Sequence, residues 1–330
     1  NEIAGDTHEW DGMRWAVKTP TRRPPNRMGS EMVFDAAHGR VVLFGGVGSV
    51  ELNDTWAWDG TRWTQLAATG PRPAPRRFHA MAYDAVRGEI VLFGGSSQAR
   101  LLNDTWVFDG TTWAKKSPSN VPGVLQHSAM AFDAARGRVV MFGGTDSTRG
   151  HTSLNETWEW DGNNWMPFIT QTGPEARHQH ALTYDAARQR VLLVGGIKSI
   201  GGYTNDAWEW DGIRWLPSAS RRPEFRRSGH TLVFDTRNQR SVFYGGGDTT
   251  TSSLTDAWEG RGNNWTKVYD SPPLPPRNWI PPLAFDSPRN RPVALLSGFQ
   301  TSRDELWEFD GNSWRQQTTT ATRTAGAMTY

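Results

Sequence analysis

The chain has no cysteine among its 330 residues. That excludes a disulfide scaffold, a thiolate metal site and a cysteine nucleophile. It fits a reducing cytoplasm and a bacterial exterior alike, and the compartment stays open, with a secreted bacterial setting slightly favoured. Lysine is nearly absent too: only 5 of the 36 basic residues are Lys and 31 are Arg. No apolar run approaches the ~18 residues of a membrane-spanning helix, and the mean hydropathy is −0.64. Asn1–Thr7 lack a charged region followed by an apolar one, so no signal peptide is visible in the chain as given. Runs of Lys and Arg interleaved with aromatics are missing, which argues against a nucleic-acid partner. A sustained 3.6-residue apolar period is missing as well, so helices are not expected.

What is abundant is tryptophan, 18 residues, with 34 glycines and 20 prolines. Their placement is periodic. The segment from Asn53 to Trp63, reading Asn-Asp-Thr-Trp-Ala-Trp-Asp-Gly-Thr-Arg-Trp, returns from Asn103, Asn155 and Asn205. Weaker copies run from Thr255 to Trp265 and from Arg303 to Trp314, and a further copy opens the chain at Asp6–Trp15. The period is roughly 50 residues, in the range of propeller blades. An upstream half recurs with it, from Phe34 to Gly46, Tyr83 to Gly95, Phe132 to Gly144, Tyr184 to Gly196, Phe234 to Gly246 and Phe285 to Gly298.

Short β-branched and aromatic runs bounded by Gly, Asp and Pro read as strands. Each repeat then supplies four. Strand A ends at the Phe or Tyr before an Asp, and strand B closes on the double glycine. Strand C carries Trp-x-Trp, and an Asp-Gly hairpin turn leads to strand D.

These features resemble the kelch-repeat β-propeller family, of the kind seen in the central domain of galactose oxidase. The resemblance rests on Arg76-Arg77-Phe78-His79, Val91-Leu92-Phe93-Gly94-Gly95, and Trp106 with Trp113, repeated in register along essentially the whole chain. It implies an all-β fold of four-stranded antiparallel blades. Complete units at about 27–67, 76–116, 125–167, 177–217, 227–267 and 278–316, with a composite blade from 6–16 and 323–330, predict seven blades in a single domain, 1–330. Pairing the termini would hide strand edges. Six blades with loose termini is the alternative, and whether Asn1 and Tyr330 are natural ends stays open.

Whatever recurs in every blade is expected to be structural. Seventeen of the 18 tryptophans recur, leaving Trp279 as the one candidate for ligand contact. His79, His180 and His230 share one repeat position, where a structural hydrogen bond is the favoured role. His178-Gln179-His180 on a strand would put both rings on one side, but no carboxylate shares the pattern, so neither metal nor other cofactor is expected. The best functional signal is in the loops from strand D to the next strand A and from B to C, which share a face. They carry Arg27, Arg76, Arg77, Arg177, Arg227 and Arg277, with Tyr203 among the further loop residues, and few opposing acids.

Such an arginine ring would attract an anionic protein, peptide or glycan. The resemblance implies as much, since kelch propellers in adaptor proteins bind acidic peptides through this face. The expected function is therefore a monomeric binding module. A metal-independent enzyme on an anionic sugar, like the sialic acid mutarotases of the same fold, is the alternative, with its catalytic residues unknown. A copper-radical oxidase is excluded because its site needs a cysteine.

Overall fold

The computed structural model describes residues 6–10, 15–18, 20–67, 70–98, 100–150, 152–170, 172–200, 202–218, 226–249, 254, 256–262, 264–269, 283–286, 291–296, 306–309 and 314–317. Five blades are each built from four consecutive antiparallel strands, which we letter A to D outward from the axis. Blade I comprises Glu31–Asp35, Arg40–Phe44, Thr55–Trp58 and Trp63–Leu66. Blade II comprises Ala80–Asp84, Glu89–Phe93, Thr105–Phe108 and Trp113–Lys116. Blade III follows with Ala129–Asp133, Arg138–Phe142, Thr157–Trp160 and Trp165–Phe168. Blade IV has Ala181–Asp185, Arg190–Val194, Ala207–Trp210 and Trp215–Pro217. Blade V has Thr231–Asp235, Arg240–Tyr244, Ala257–Arg261 and Asn264–Tyr269.

A further four-stranded sheet joins the two ends of the chain. Leu283–Asp286 and Arg291–Leu296 supply its inner strands, and Asp6–Trp10 and Trp15–Lys18 its outer pair. Asp6 lies opposite Leu296 and Glu9 opposite Val293. Its inner strand packs beside strand A of blade I, so the circle closes.

Neither seven blades nor six sequential ones are found. The unit expected at 278–316 is split, and its own hairpin, Leu306–Phe309 with Trp314–Gln317, forms a separate two-stranded sheet. Residues 323–330, expected in the composite blade, lie outside the described residues. The physical reason is a competition for one strand edge. Trp63 Nε1 donates to Thr7 Oγ1 at 2.6 Å and Trp58 Nε1 to Glu9 Oε1 at 2.9 Å. The N-terminal hairpin offers both acceptors, whereas the later one has Leu306 where Thr7 stands.

The same bond recurs around the circle and explains the tryptophans. Trp113, Trp165 and Trp215 on strand D donate to Thr55, Thr105 and Thr157 on strand C of the preceding blade, at 2.9–3.0 Å. Each ring packs into an apolar layer between adjacent blades, Trp215 for example beside Phe142 and Leu193. Burial of a large ring with its one donor satisfied is favourable on both counts.

Candidate functional site at the channel mouth

The expected arginine ring turns inward. Arg27, Arg76, Arg177 and Arg227 are 0–3 % exposed. Each forks onto the strand C aspartate of its own blade: Arg27 onto Asp54 at 2.6 and 2.8 Å, Arg76 onto Asp104 at 2.7 and 2.9 Å. Arg177 does so onto Asp206 at 2.6 and 2.9 Å, and Arg227 onto Asp256 at 2.5 and 3.0 Å. The first nitrogen of each also donates to the first carbonyl of a double glycine, as in Arg76 to Gly94 at 2.9 Å. Burial opposes ionisation of these aspartates, but the hydrogen bonds and charge of the paired arginine outweigh it and hold each carboxyl below its ordinary value. These four arginines are blade staples, not ligand contacts.

The acid partner sits in the repeated Asn-Asp-Thr-Trp, and the tryptophan two residues on donates to it, as Trp56 does to Asp54 at 2.6 Å. The aspartate stands one residue before strand C in each of these blades. Blade III carries Leu125 and Glu156 where the others carry the Arg–Asp pair.

His79, His180 and His230 are buried between blades. His79 stands edge-on to Phe44 and His180 to Phe142, and His230 Nε2 lies 3.0 Å from the carbonyl of Val194. Burial, reinforced by the charge of Arg76 or Arg227, lowers His79 and His230 to about 3. Burial and Arg177 put His180 well below its ordinary value. All three are neutral spacers at physiological pH. The His-x-His expectation is also corrected: Gln179 has φ 52°, strand A begins only at Ala181, and the pleat that would align the rings is absent. His178 instead meets Ser153 Oγ through Nδ1 at 2.9 Å.

That positive φ belongs to a collar. Gly29, Phe78, His127, Gln179 and Gly229 occupy one repeat position just before strand A, with φ between 52° and 66°. Each N–H donates to the carbonyl of the same position in the preceding blade: Phe78 to Gly29, His127 to Phe78, Gln179 to His127 and Gly229 to Gln179, at 2.8–3.1 Å. Glycine takes this conformation freely, and other residues do so at a cost of roughly 1 kcal/mol. Three adjacent blades nevertheless hold larger side chains there. The Phe78 and His127 rings lie 4.1 Å apart at 31°, His178 is 6.1 Å from His127, and the Arg77 guanidinium is 5.3 Å from the Phe78 ring. A Cβ on Gly29 would meet the Phe78 ring at 2.7 Å, so the glycine makes room for it. Burial, with His178 and Arg77 nearby, lowers His127 to about 3, so this band presents neutral rings beside one cation. Arg77 is 37 % exposed, and its Nε lies 3.8 Å from Glu51.

A family model described as the KLHDC2/KLHL20/DRC7 Kelch-repeats domain matches residues 3–131. Those matched repeats and the four-stranded blades together support a kelch-repeat propeller. No curated protein matches it.

Of the remaining candidates on this kelch propeller, Tyr203 lies half-buried on the B–C hairpin of blade IV, paired with Ile197. Arg277 and Trp279 lie outside the described residues. The structure therefore brings together Arg77 and His178, and it adds Phe78, His127 and Gln179. The signal for the additions was present: three blades depart from the glycine of Gly29 and Gly229. Below the collar runs a channel of about 510 Å³ lined by the inner strands of all five blades. Its walls include Glu31, at a position held by Ala80, Ala129, Ala181 and Thr231 elsewhere.

Proposed function

We propose that this kelch propeller is a protein-binding module whose collar face receives an acidic polypeptide segment. The observation that carries the reading is the collar itself, where Phe78, His127 and Gln179 hold the left-handed backbone conformation that Gly29 and Gly229 take in blades I and V. Strain of this kind persists where the surroundings over-determine it, and it clusters at ligand sites. Kelch propellers mediate protein–protein interactions, which supports the same reading. The acidic character of the partner rests on a smaller set of arginines than the sequence suggested. Arg22, Arg72, Arg77, Arg100 and Arg149 are on loops of this face and reach solvent, against Glu51, Asp146 and Glu175.

The test is fluorescence anisotropy with a labelled poly-glutamate peptide, a poly-lysine control and a sulfated glycan. Poly-glutamate should bind, weaken with salt, and lose at least about tenfold in affinity in an Arg77→Glu/Arg100→Glu variant. Equal binding of poly-lysine, or indifference to the charge reversal, would sink the acidic partner. Preference for the glycan would redirect the assignment. The enzymatic alternative, isomerisation of an anionic sugar at this mouth, would be supported by turnover that His178→Ala abolishes.

A further inference from the structure

The channel beneath the collar has an uneven wall. At the level where strand A begins, blades II to V place Ala80, Ala129, Ala181 and Thr231, and blade I places Glu31. No side-chain hydrogen bond or ion pair engages Glu31 among the described residues. The walls below are Val33, Ala82, Ala131, Thr183 and Val233, and the far end is ringed by the exposed residues Ala36, Ala85, Ala134, Ala186 and Thr236. The channel is thus bordered by small residues at the face of the A–B turns, and its one carboxyl group among the described residues lies next to the collar.

We propose that this channel binds a small organic cation, a protonated amine on a compact apolar body, with the ammonium held by Glu31. The volume is that of a small-molecule site, and an apolar wall with a single placed polar group suits such a ligand. An anion would find no lysine or arginine in this lining. A neutral apolar molecule would leave that group unpaired in a low-dielectric space. An ammonium completes it with a charge pair against the apolar wall. The A–B turn face, opposite the collar, offers such a ligand an entry separate from a partner on the collar.

The protonation state of Glu31 gives the proposal a signature. Burial pushes its carboxyl up to about 8. At neutral pH the ammonium therefore displaces the carboxyl proton, which leaves to solvent as the ion pair forms. Phe44 stands opposite Glu31 on strand B, and Ala80 and Leu283 come from the adjoining inner strands. The histidines sharing the upper channel are His79, His127, His180 and His230, all held neutral by burial in this range. The guanidiniums of Arg27 and Arg76 are committed to their aspartates.

The experiment is calorimetric titration of the full chain with benzylamine and with benzyl alcohol, its neutral counterpart of similar shape. Benzylamine should bind at least about tenfold more tightly at pH 8 than the alcohol, with an affinity that rises from pH 6 to pH 8. Its heat should vary with the ionisation enthalpy of the buffer, reporting the released proton. Glu31→Ala, which installs the residue that blades II to IV already carry and so should fold, should remove the preference for the amine. Glu31→Gln should do the same without changing the volume. Equal affinity for the two probes, no binding of benzylamine, or an unchanged preference in Glu31→Ala overturns the proposal.

Discussion

The internal repeat makes single side chains comparable within one molecule. Trp58 and Trp210 each donate to a glutamate of the preceding sheet, Glu9 at 2.9 Å and Glu159 at 2.7 Å. Trp160 occupies the same position, but the preceding blade offers Val107, and its buried Nε1 has no partner. Phenylalanine at either site removes a similar ring volume, so the difference isolates the hydrogen bond. Trp210→Phe should cost about 1–3 kcal/mol more than Trp160→Phe in urea denaturation, because it strands Glu159. Equal costs would mean that the indole N–H bond contributes nothing. Gln179→Gly makes the complementary case at the collar. Relief of the left-handed backbone should leave stability unchanged or raise it by up to about 1 kcal/mol, while poly-glutamate binding weakens. A stability loss of that size would show that Gln179 is scaffold. Much of this was legible beforehand: recurrence correctly assigned the tryptophans of blades I to V to packing, and the departures from recurrence at Phe78, His127 and Glu31 were there to be read. What recurrence could not convey is direction. Arg76 and Arg77 are sequence neighbours of identical type, yet one is sealed in a blade and the other faces solvent.

At the scale of the blade, the Arg–Asp staple ties the loop entering strand A to the start of strand C. Its energetic meaning can be tested against blade III, which folds with Leu125 and Glu156 in its place. Leu125 is buried, and Trp158 Nε1 donates to Glu156 Oε2 at 2.9 Å, so that carboxylate keeps its indole bond without a guanidinium. Arg76→Leu alone should cost about 3–5 kcal/mol, since it leaves Asp104 half-buried without its counter-ion. Adding Asp104→Glu should recover a substantial part, because the pair then copies blade III. Chemical denaturation checks both, and a double variant as unstable as the single one defeats the argument. The strands themselves were legible from alternation, turns and glycines. The staple was not, because its two halves lie 27–29 residues apart and neither half is unusual alone.

For the whole molecule, the count of repeats was legible but the closure was not. Sequence order pairs a hairpin with its nearest neighbour, whereas closure depends on which hairpin carries acceptors for Trp58 and Trp63. Thr7 and Glu9 do so. The buried titratable groups then set a pH profile for the closed circle. His79, His127, His178, His180 and His230 all have pKa values held below their ordinary 6.5, so below 6.5 the unfolded chain binds protons that the fold refuses. Their contribution is complete above 6.5 and is lost as pH falls, at roughly 1.4 kcal/mol per pH unit for each histidine. Glu31 has the opposite sign: raised from 4.5 to about 8, it keeps a proton that the unfolded chain has given up, and its contribution is lost as pH rises toward 8. Below 6.5 the five histidines outweigh the one carboxyl, and above 6.5 the raised carboxyl sets the trend. Stability should therefore peak near pH 6.5 and decline more steeply on the acid side. Glu31→Gln should flatten the alkaline limb and leave the acid limb in place. Melting temperatures at pH 5, 6.5 and 8 decide the matter: a profile that rises steadily to pH 8 in the wild type would show that Glu31 is ionised in the fold, with its charge already accommodated.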